Sequence, residues 1–216
     1  MPSEHHVVNI FKPFSPHILK SEINDNIIKK LNDQCDDLIK NEKKRKEVNV
    51  AKSLVGHVEE ELNCDLTGHI DFGETLYNLT RCLYAEWLTN NDKNNSHKIE
   101  KIKRIAVHSA WYVRQFKNDY NPVHHHKFGS QYSCILFLKV PDSIKPNKNY
   151  KYKNKSSTEG HTDFMYGAHN TLTQSNFLVC PQVGDLYIFP SFLQHTVYPF
   201  YGEGERRSLS ANMSLE

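Results

Sequence analysis

Between residues 24 and 40 the apolar positions return every three or four residues. Ile27, Ile28, Leu31, Cys35, Leu38 and Ile39 fall on one side and charged residues on the other, which predicts a helix with one buried face. Asn24 or Asp25 stands where a cap for the first turn belongs. The pattern then fades into the charged run Lys43-Lys44-Arg45-Lys46, read as a solvated helix end. A second helix is predicted from about Gly73 to Leu88, with Leu76, Leu79, Leu83 and Trp87 on one stripe. The Asn-rich stretch from Asn90 to Ser96 reads as a linker. Ahead of the helices, Val7-Val8-Asn9-Ile10-Phe11 is β-prone and is closed by Pro13 and Pro16.

After the linker the texture becomes β. Ile105 to Phe116 alternates and is rich in β-branched and aromatic residues, and Ser133 to Val140 reads as a buried strand stopped by Pro141. Further short strands are predicted at Thr162–Tyr166, Asp185–Phe189, Thr196–Phe200 and Arg207–Met213, with turn residues between them. Lys145 to Glu159 is a long loop with five lysines and no acid before Glu159. It is either a solvated loop or a positive surface that steers an acidic protein or nucleic acid. Several short strands in series indicate a sandwich or barrel. There is no internal repeat. The fold class is mainly β with N-terminal helices: a helical support region over 1–97 and a β core over 98–216, joined in one compact unit.

Composition narrows the class. The chain has 216 residues, 38% of them hydrophobic, enough for a substantial core. Its 27 basic and 25 acidic side chains nearly balance, so no general attraction to nucleic acid or to an anionic membrane is expected. Five cysteines at wide spacing, none in a CxxC pair, argue against a disulfide framework or a thiolate zinc site and suit a reducing compartment. No apolar run approaches the ~18 residues of a membrane span, and the first residues lack the pattern of a signal peptide. The expectation is a soluble, cytoplasmic protein.

Three features carry chemistry. His124-His125-His126 lies in DYNPVHHHKFGS; in an extended backbone His124 and His126 share a side, so the pair either converges on a metal or sits solvated in a loop. His195, in LYIFPSFLQHTVYPF, opens a later strand and is either a third ligand or a rim residue. Arg206 begins the last strand, where Arg206, Ser208, Ser210 and Asn212 have one parity and Arg207, Leu209, Ala211 and Met213 the other. A polar inward line is costly unless it meets a polar ligand, and a guanidinium is shaped to grip a carboxylate. A solvent-facing edge strand is the competing reading. Trp111 and Tyr112 are read as packing residues.

Taken together, the order HxH, some seventy residues of strands, His, then Arg-x-Ser eleven residues on resembles the 2-oxoglutarate- and Fe(II)-dependent oxygenases, in particular the compact prolyl-hydroxylase-like group of bacteria and phages. The resemblance spans roughly Ala110 to Glu216 and rests on WYVRQFKNDYNPVHHH, SCILFLKVP and VGDLYIFPSFLQHTVYPFYGEGERRSLSANM. It implies a double-stranded β-helix, or jelly roll. It implies Fe(II) on His124, His126 and His195, with 2-oxoglutarate as cosubstrate and its distal carboxylate on Arg206, helped by Ser208. Asn121 and Tyr132, near the first ligands in sequence, are assigned to the cosubstrate pocket. The implied reaction consumes dioxygen, hydroxylates a substrate that the sequence does not identify (a prolyl residue, another protein side chain, a nucleobase or a small metabolite) and releases succinate and CO₂. Oligomeric state is not legible.

One departure stands out. The commoner motif is HxD or HxE, giving two histidines and a carboxylate, whereas here the carboxylate position holds His126. Three neutral imidazoles leave the metal charge to be offset by the cosubstrate, so metal identity is less constrained. A literal HxD at His161-Thr162-Asp163 lies only 34 residues before His195, too close for the intervening strands. A cupin would want a glutamate soon after the second histidine, and Lys127 to Ser133 contains none. Zinc hydrolysis leaves Arg206 and Ser208 without a role. The alternative function is a non-catalytic barrel that binds a metal or a small acid without turnover.

Overall fold

The computed structural model describes residues 16–58, 60–126, 129–144 and 158–216. The β-prone run Val7–Phe11 and the lysine loop from Lys145 to Ser157 lie outside the described residues.

Helix α1 spans Asp25–Lys40, and the Asn24 side chain caps it by accepting from the Ile27 backbone N–H at 3.0 Å. Its predicted stripe is buried at Ile27, Ile28, Leu31, Cys35 and Leu38. The charged run is not the tail of α1. It forms its own short helix, α2 (Glu42–Val48), started by the Asn41 side chain accepting from the Lys44 N–H at 3.0 Å, and it buries nothing. Helix α3 runs Ile70–Asn91, longer than predicted at both ends, so the expected linker begins inside it. Leu76 and Leu83 are buried, but Trp87 is 40% exposed and stacks on Tyr84 instead of joining the stripe. A single turn, α4 (Lys98–Lys101), precedes the β region.

The strands are β1 (Leu19–Glu22), β2 (Glu60–Asn63), β3 (Ile105–Gln115), β4 (Asn121–His124), β5 (Tyr132–Lys139), β6 (Thr162–Met165), β7 (Asn176–Val179), β8 (Asp185–Pro190), β9 (Gln194–Val197) and β10 (Arg206–Leu215). They form a six-stranded sheet in the order β1-β8-β5-β10-β3-β2 and a four-stranded sheet in the order β4-β9-β6-β7. Every pairing is antiparallel. Two such sheets facing one another make the expected double-stranded β-helix.

Strand alternation sends side chains to two separate cores. Cys134, Leu136 and Leu138 of β5, with Tyr112, Ile188, Leu209 and Ala211, pack against Leu31, Cys35, Phe72 and Leu76 of α1 and α3. Ile135 and Phe137 point the other way and meet Phe164, Val179, Tyr187, Phe189 and Leu193 between the sheets. This explains why SCILFLKV is apolar without alternation: both of its faces are buried. The N-terminal segment is more than helical support, because it supplies β1 and β2 as the two edges of the large sheet. No helix among the described residues is long and apolar enough to cross a membrane.

Candidate active site

β4 pairs with β9 so that His124 lies opposite His195. Beyond β4 the backbone N–H of His126 donates to the Ser191 carbonyl at 3.0 Å, which fastens this segment to the turn between β8 and β9. The candidate ligand atoms of His124, His126 and His195 all lie within 4.8 Å of one another. His125 is exposed and stays outside this cluster. The Nδ1 of His124 is 2.7 Å from the Pro122 carbonyl, and that of His195 is 3.0 Å from the Leu193 carbonyl. A carbonyl only accepts, so Nδ1 carries the proton in both rings and Nε2 keeps a free lone pair. Burial, and then the neighbouring imidazoles, hold His195 down at about 3 and His126 at about 4; burial also lowers His124 against the opposing pull of the Pro122 carbonyl. Three neutral imidazoles therefore meet in one place at neutral pH.

Arg206 is 1% exposed. Its Nε donates to the Gly160 carbonyl at 3.0 Å, Nη1 to Gln115 Oε1 at 2.6 Å and Nη2 to Thr162 Oγ1 at 3.1 Å. The Phe137 ring lies 5.0 Å from the guanidinium carbon. All of these partners are neutral. Among the described residues no acid pairs with Arg206, and burial pulls its pKa down to about 9, still cationic at neutral pH. Three of the five N–H donors of a guanidinium are spoken for; one on each terminal nitrogen is left, the arrangement that grips a carboxylate through two parallel bonds. Gly160 is part of this device. It sits at φ +65°, and a Cβ there would fall 2.4 Å from Ile144 Cδ1, so only glycine brings its carbonyl over the guanidinium without strain.

The histidines and Arg206 share one cavity of about 310 Å³, lined also by Ser208, Asn121, Gln115, Trp111 and Glu61. The Asn121 amide is engaged within the protein: Oδ1 accepts from Gln115 Nε2 at 3.0 Å and Nδ2 donates to the Val55 carbonyl at 2.9 Å. It thus braces Gln115, which braces Arg206.

One expectation is corrected. Tyr132 is not in the cavity wall; it has the parity of Cys134 and Leu136 and packs against the helix-side core. Nearness in sequence to the histidines misled, because strand parity decides the face. Trp111, read as packing, is buried and also lines the cavity with its ring 5.7 Å from that of His126, whereas Tyr112 packs on the helix side with its hydroxyl on Gln34. The HxD at residues 161–163 stands apart. Asp163 accepts from the Tyr198 hydroxyl at 3.1 Å, His161 Nδ1 faces the Glu159 carbonyl, and neither joins the histidine cluster. Sequence reading missed Gly160, Thr162, Gln115 and Glu61. Of these only Gln115 carried a signal, since it follows Trp111 and Val113 at strand spacing.

The donor set fits the group the resemblance implies. Neutral imidazoles suit Fe(II) among other transition metals, and a buried cation without a counterion suits a carboxylate-bearing ligand. Fold and site together give a jelly-roll protein whose cavity brings three imidazoles and a buried guanidinium into one wall. Residues 109–212 match the family described as "Putative 2OG-Fe(II) oxygenase". The fold is that of a Pseudomonas putida prolyl-4-hydroxylase (TM-score 0.58, 12% identity, 92% of each chain covered). It is also that of the α-ketoglutarate-dependent epimerase SnoN from nogalamycin biosynthesis (TM-score 0.54, 10% identity, 91% of this chain and 77% of that one). HygX from Streptomyces hygroscopicus, solved with iron bound, is similar as well (TM-score 0.50, 8% identity, 91% and 81% covered). No curated protein sequence matches the chain. The matched segment, just under half of the chain, carries all three histidines and Arg206.

Proposed function

We propose that the chain is a dioxygenase in which His124, His126 and His195 hold Fe(II) and Arg206, helped by Ser208, holds the distal carboxylate of 2-oxoglutarate. The observation that carries this reading is the buried guanidinium without an acid, in the same cavity as three neutral imidazoles. When bound, the metal and cosubstrate supply oxidation of a substrate C–H bond to C–OH by dioxygen, with 2-oxoglutarate converted to succinate and CO₂.

The chain's own part is positioning. Pro122 and Leu193 carbonyls fix two imidazole tautomers. Gly160, Gln115 and Thr162 hold the guanidinium plane, and Asn121 keeps Gln115 in place. The Phe137 ring lies against the Arg206 guanidinium and the Phe189 ring against that of His195. Because the three imidazoles are uncharged, the cosubstrate dianion supplies the negative charge that a carboxylate ligand provides in the commoner triad, so tight metal binding is expected to require 2-oxoglutarate. A protein prolyl residue is one candidate substrate, by analogy with the prolyl-4-hydroxylase that shares the fold.

The test is turnover. Aerobic incubation with Fe(II) and 2-oxoglutarate should yield succinate, uncoupled from substrate if necessary, and His195→Ala should abolish it. Absence of succinate despite measurable binding of both would favour a binding barrel instead.

A further inference from the structure

Glu61 lies on β2, at the edge of the large sheet. Its register partner on β3 is Val113, and Val113 is paired in turn with Ser208 of β10. All three line the cavity, so Glu61 sits on the same inner wall as Ser208, two strands away. It is 2% exposed. The other acids of this region are matched: Glu60 pairs with Arg114 and Arg45, and Glu205 with Arg114 and Arg207. Glu61 has no basic partner among the described residues; the Asn121 amide is the group that bonds it. Burial pushes its carboxyl up to about 7, and that amide pulls the other way.

The cavity thus has two poles of opposite demand. Among the described residues, a buried cation at one lacks an anion, and a buried acid at the other lacks a cation. A dianionic cosubstrate suits the first and is repelled by the second. The cavity that holds Glu61 and the histidines is also lined by Leu54, Val55, Trp111 and Val113, apolar surface that suits an aliphatic stem. Resting on the assignment of the Arg206 pole to 2-oxoglutarate, we propose that Glu61 is a specificity-determining residue whose carboxylate binds an ammonium or guanidinium group carried on an aliphatic stem of the substrate. The substrate is then a basic one, either a free amine or the basic side chain of a peptide.

The test uses the full chain carrying Zn(II) and 2-oxoglutarate, with binding of probes followed by saturation-transfer NMR. The probes are n-butylammonium, n-butylguanidinium and Nα-acetyl-lysine methylamide, with n-butyramide and n-butyrate as uncharged and anionic controls. The cations should bind saturably and the controls should not; preference for the lysine derivative over n-butylammonium identifies a peptide side chain, and the reverse a free amine. Glu61→Gln should weaken cation binding by about tenfold or more, while Glu61→Asp keeps part of it. Calorimetry should show 2-oxoglutarate affinity unchanged in both variants. Equal cation binding by wild type and Glu61→Gln would overturn the proposal, as would a loss of 2-oxoglutarate binding in Glu61→Gln. If wild type failed to bind metal and 2-oxoglutarate yet kept charge-selective binding dependent on Glu61, the dioxygenase reading would fall and this one would stand.

Discussion

Arg206 and Arg207 are adjacent in sequence, each 1% exposed, and point to opposite faces of β10. On the helix side, Arg207 donates to Glu205 at 2.9 and 3.1 Å, to Asp36 at 2.7 Å and to Asn32 at 3.0 Å. Burial works against its charge, but the Glu205 and Asp36 carboxylates more than offset this and its pKa is raised. On the cavity side, Arg206 meets only neutral acceptors among the described residues, and burial lowers its pKa. The contrast separates two uses of a buried cation. One closed by acids inside the fold ties elements together, here α1 to the sheet. One left to neutral acceptors is, on the function proposed above, held for a ligand that brings its own charge.

The sharpest way to break this comparison is to remove each charge in turn. Arg207→Leu leaves Asp36 and Glu205 facing a vacated site, and should cost about 3–5 kcal/mol of folding stability. In urea denaturation the midpoint should drop, while 2-oxoglutarate affinity of the folded protein stays as in wild type. The pH dependence should also flatten. Asp36 and Glu205 are held below the usual carboxylate range, because Arg207 and its basic neighbours outweigh their burial. Their contribution is present above the unfolded pKa and lost as pH falls through the depressed folded values, and a variant without Arg207 loses part of that acid-side slope, the rest staying with Arg114 on Glu205 and Lys139 on Asp36.

Arg206→Lys is the mirror experiment. An ammonium cannot reproduce the two parallel bonds, so 2-oxoglutarate binding, followed by calorimetry with Mn(II), should weaken by about 2–3 kcal/mol, with a smaller change in the urea midpoint than Arg207→Leu gives. An unaltered 2-oxoglutarate affinity would remove Arg206 from the site. The smallest effect is expected at Tyr132→Phe. Since Tyr132 faces the helices, cosubstrate affinity should be unchanged and stability should move within about 0.5 kcal/mol; a clear loss of 2-oxoglutarate binding would return Tyr132 to the cavity.

Strand parity made the opposite facing of the two arginines legible in advance, as it did the shared side of His124 and His126. It worked because β10 is long and alternates cleanly, and α1, α3, β3, β5 and β8 were legible for the same reason: each carries a long or dense apolar pattern. The short strands β1 (Leu-Lys-Ser-Glu), β2 (Glu-Glu-Leu-Asn) and β7 were not, because four residues at a sheet edge are held by backbone pairing more than by side-chain pattern. The cavity wall that β2 and Ser53–Val55 supply was invisible with them, and so was Glu61. The partners of Arg206 were hidden for a different reason. Gly160 and Thr162 lie 46 and 44 residues away, and only the closure of the two sheets brings them to the guanidinium. Tyr132 shows the converse error, in which closeness along the chain outweighed parity.

The central claim is most directly tested by an anaerobic crystal structure with Fe(II) and 2-oxoglutarate. The account predicts one metal ion coordinated by Nε2 of His124, Nε2 of His195 and the ring of His126, with the distal carboxylate of 2-oxoglutarate on both terminal nitrogens of Arg206. A metal bound away from these rings, or an Arg206 guanidinium with no carboxylate against it, would contradict it.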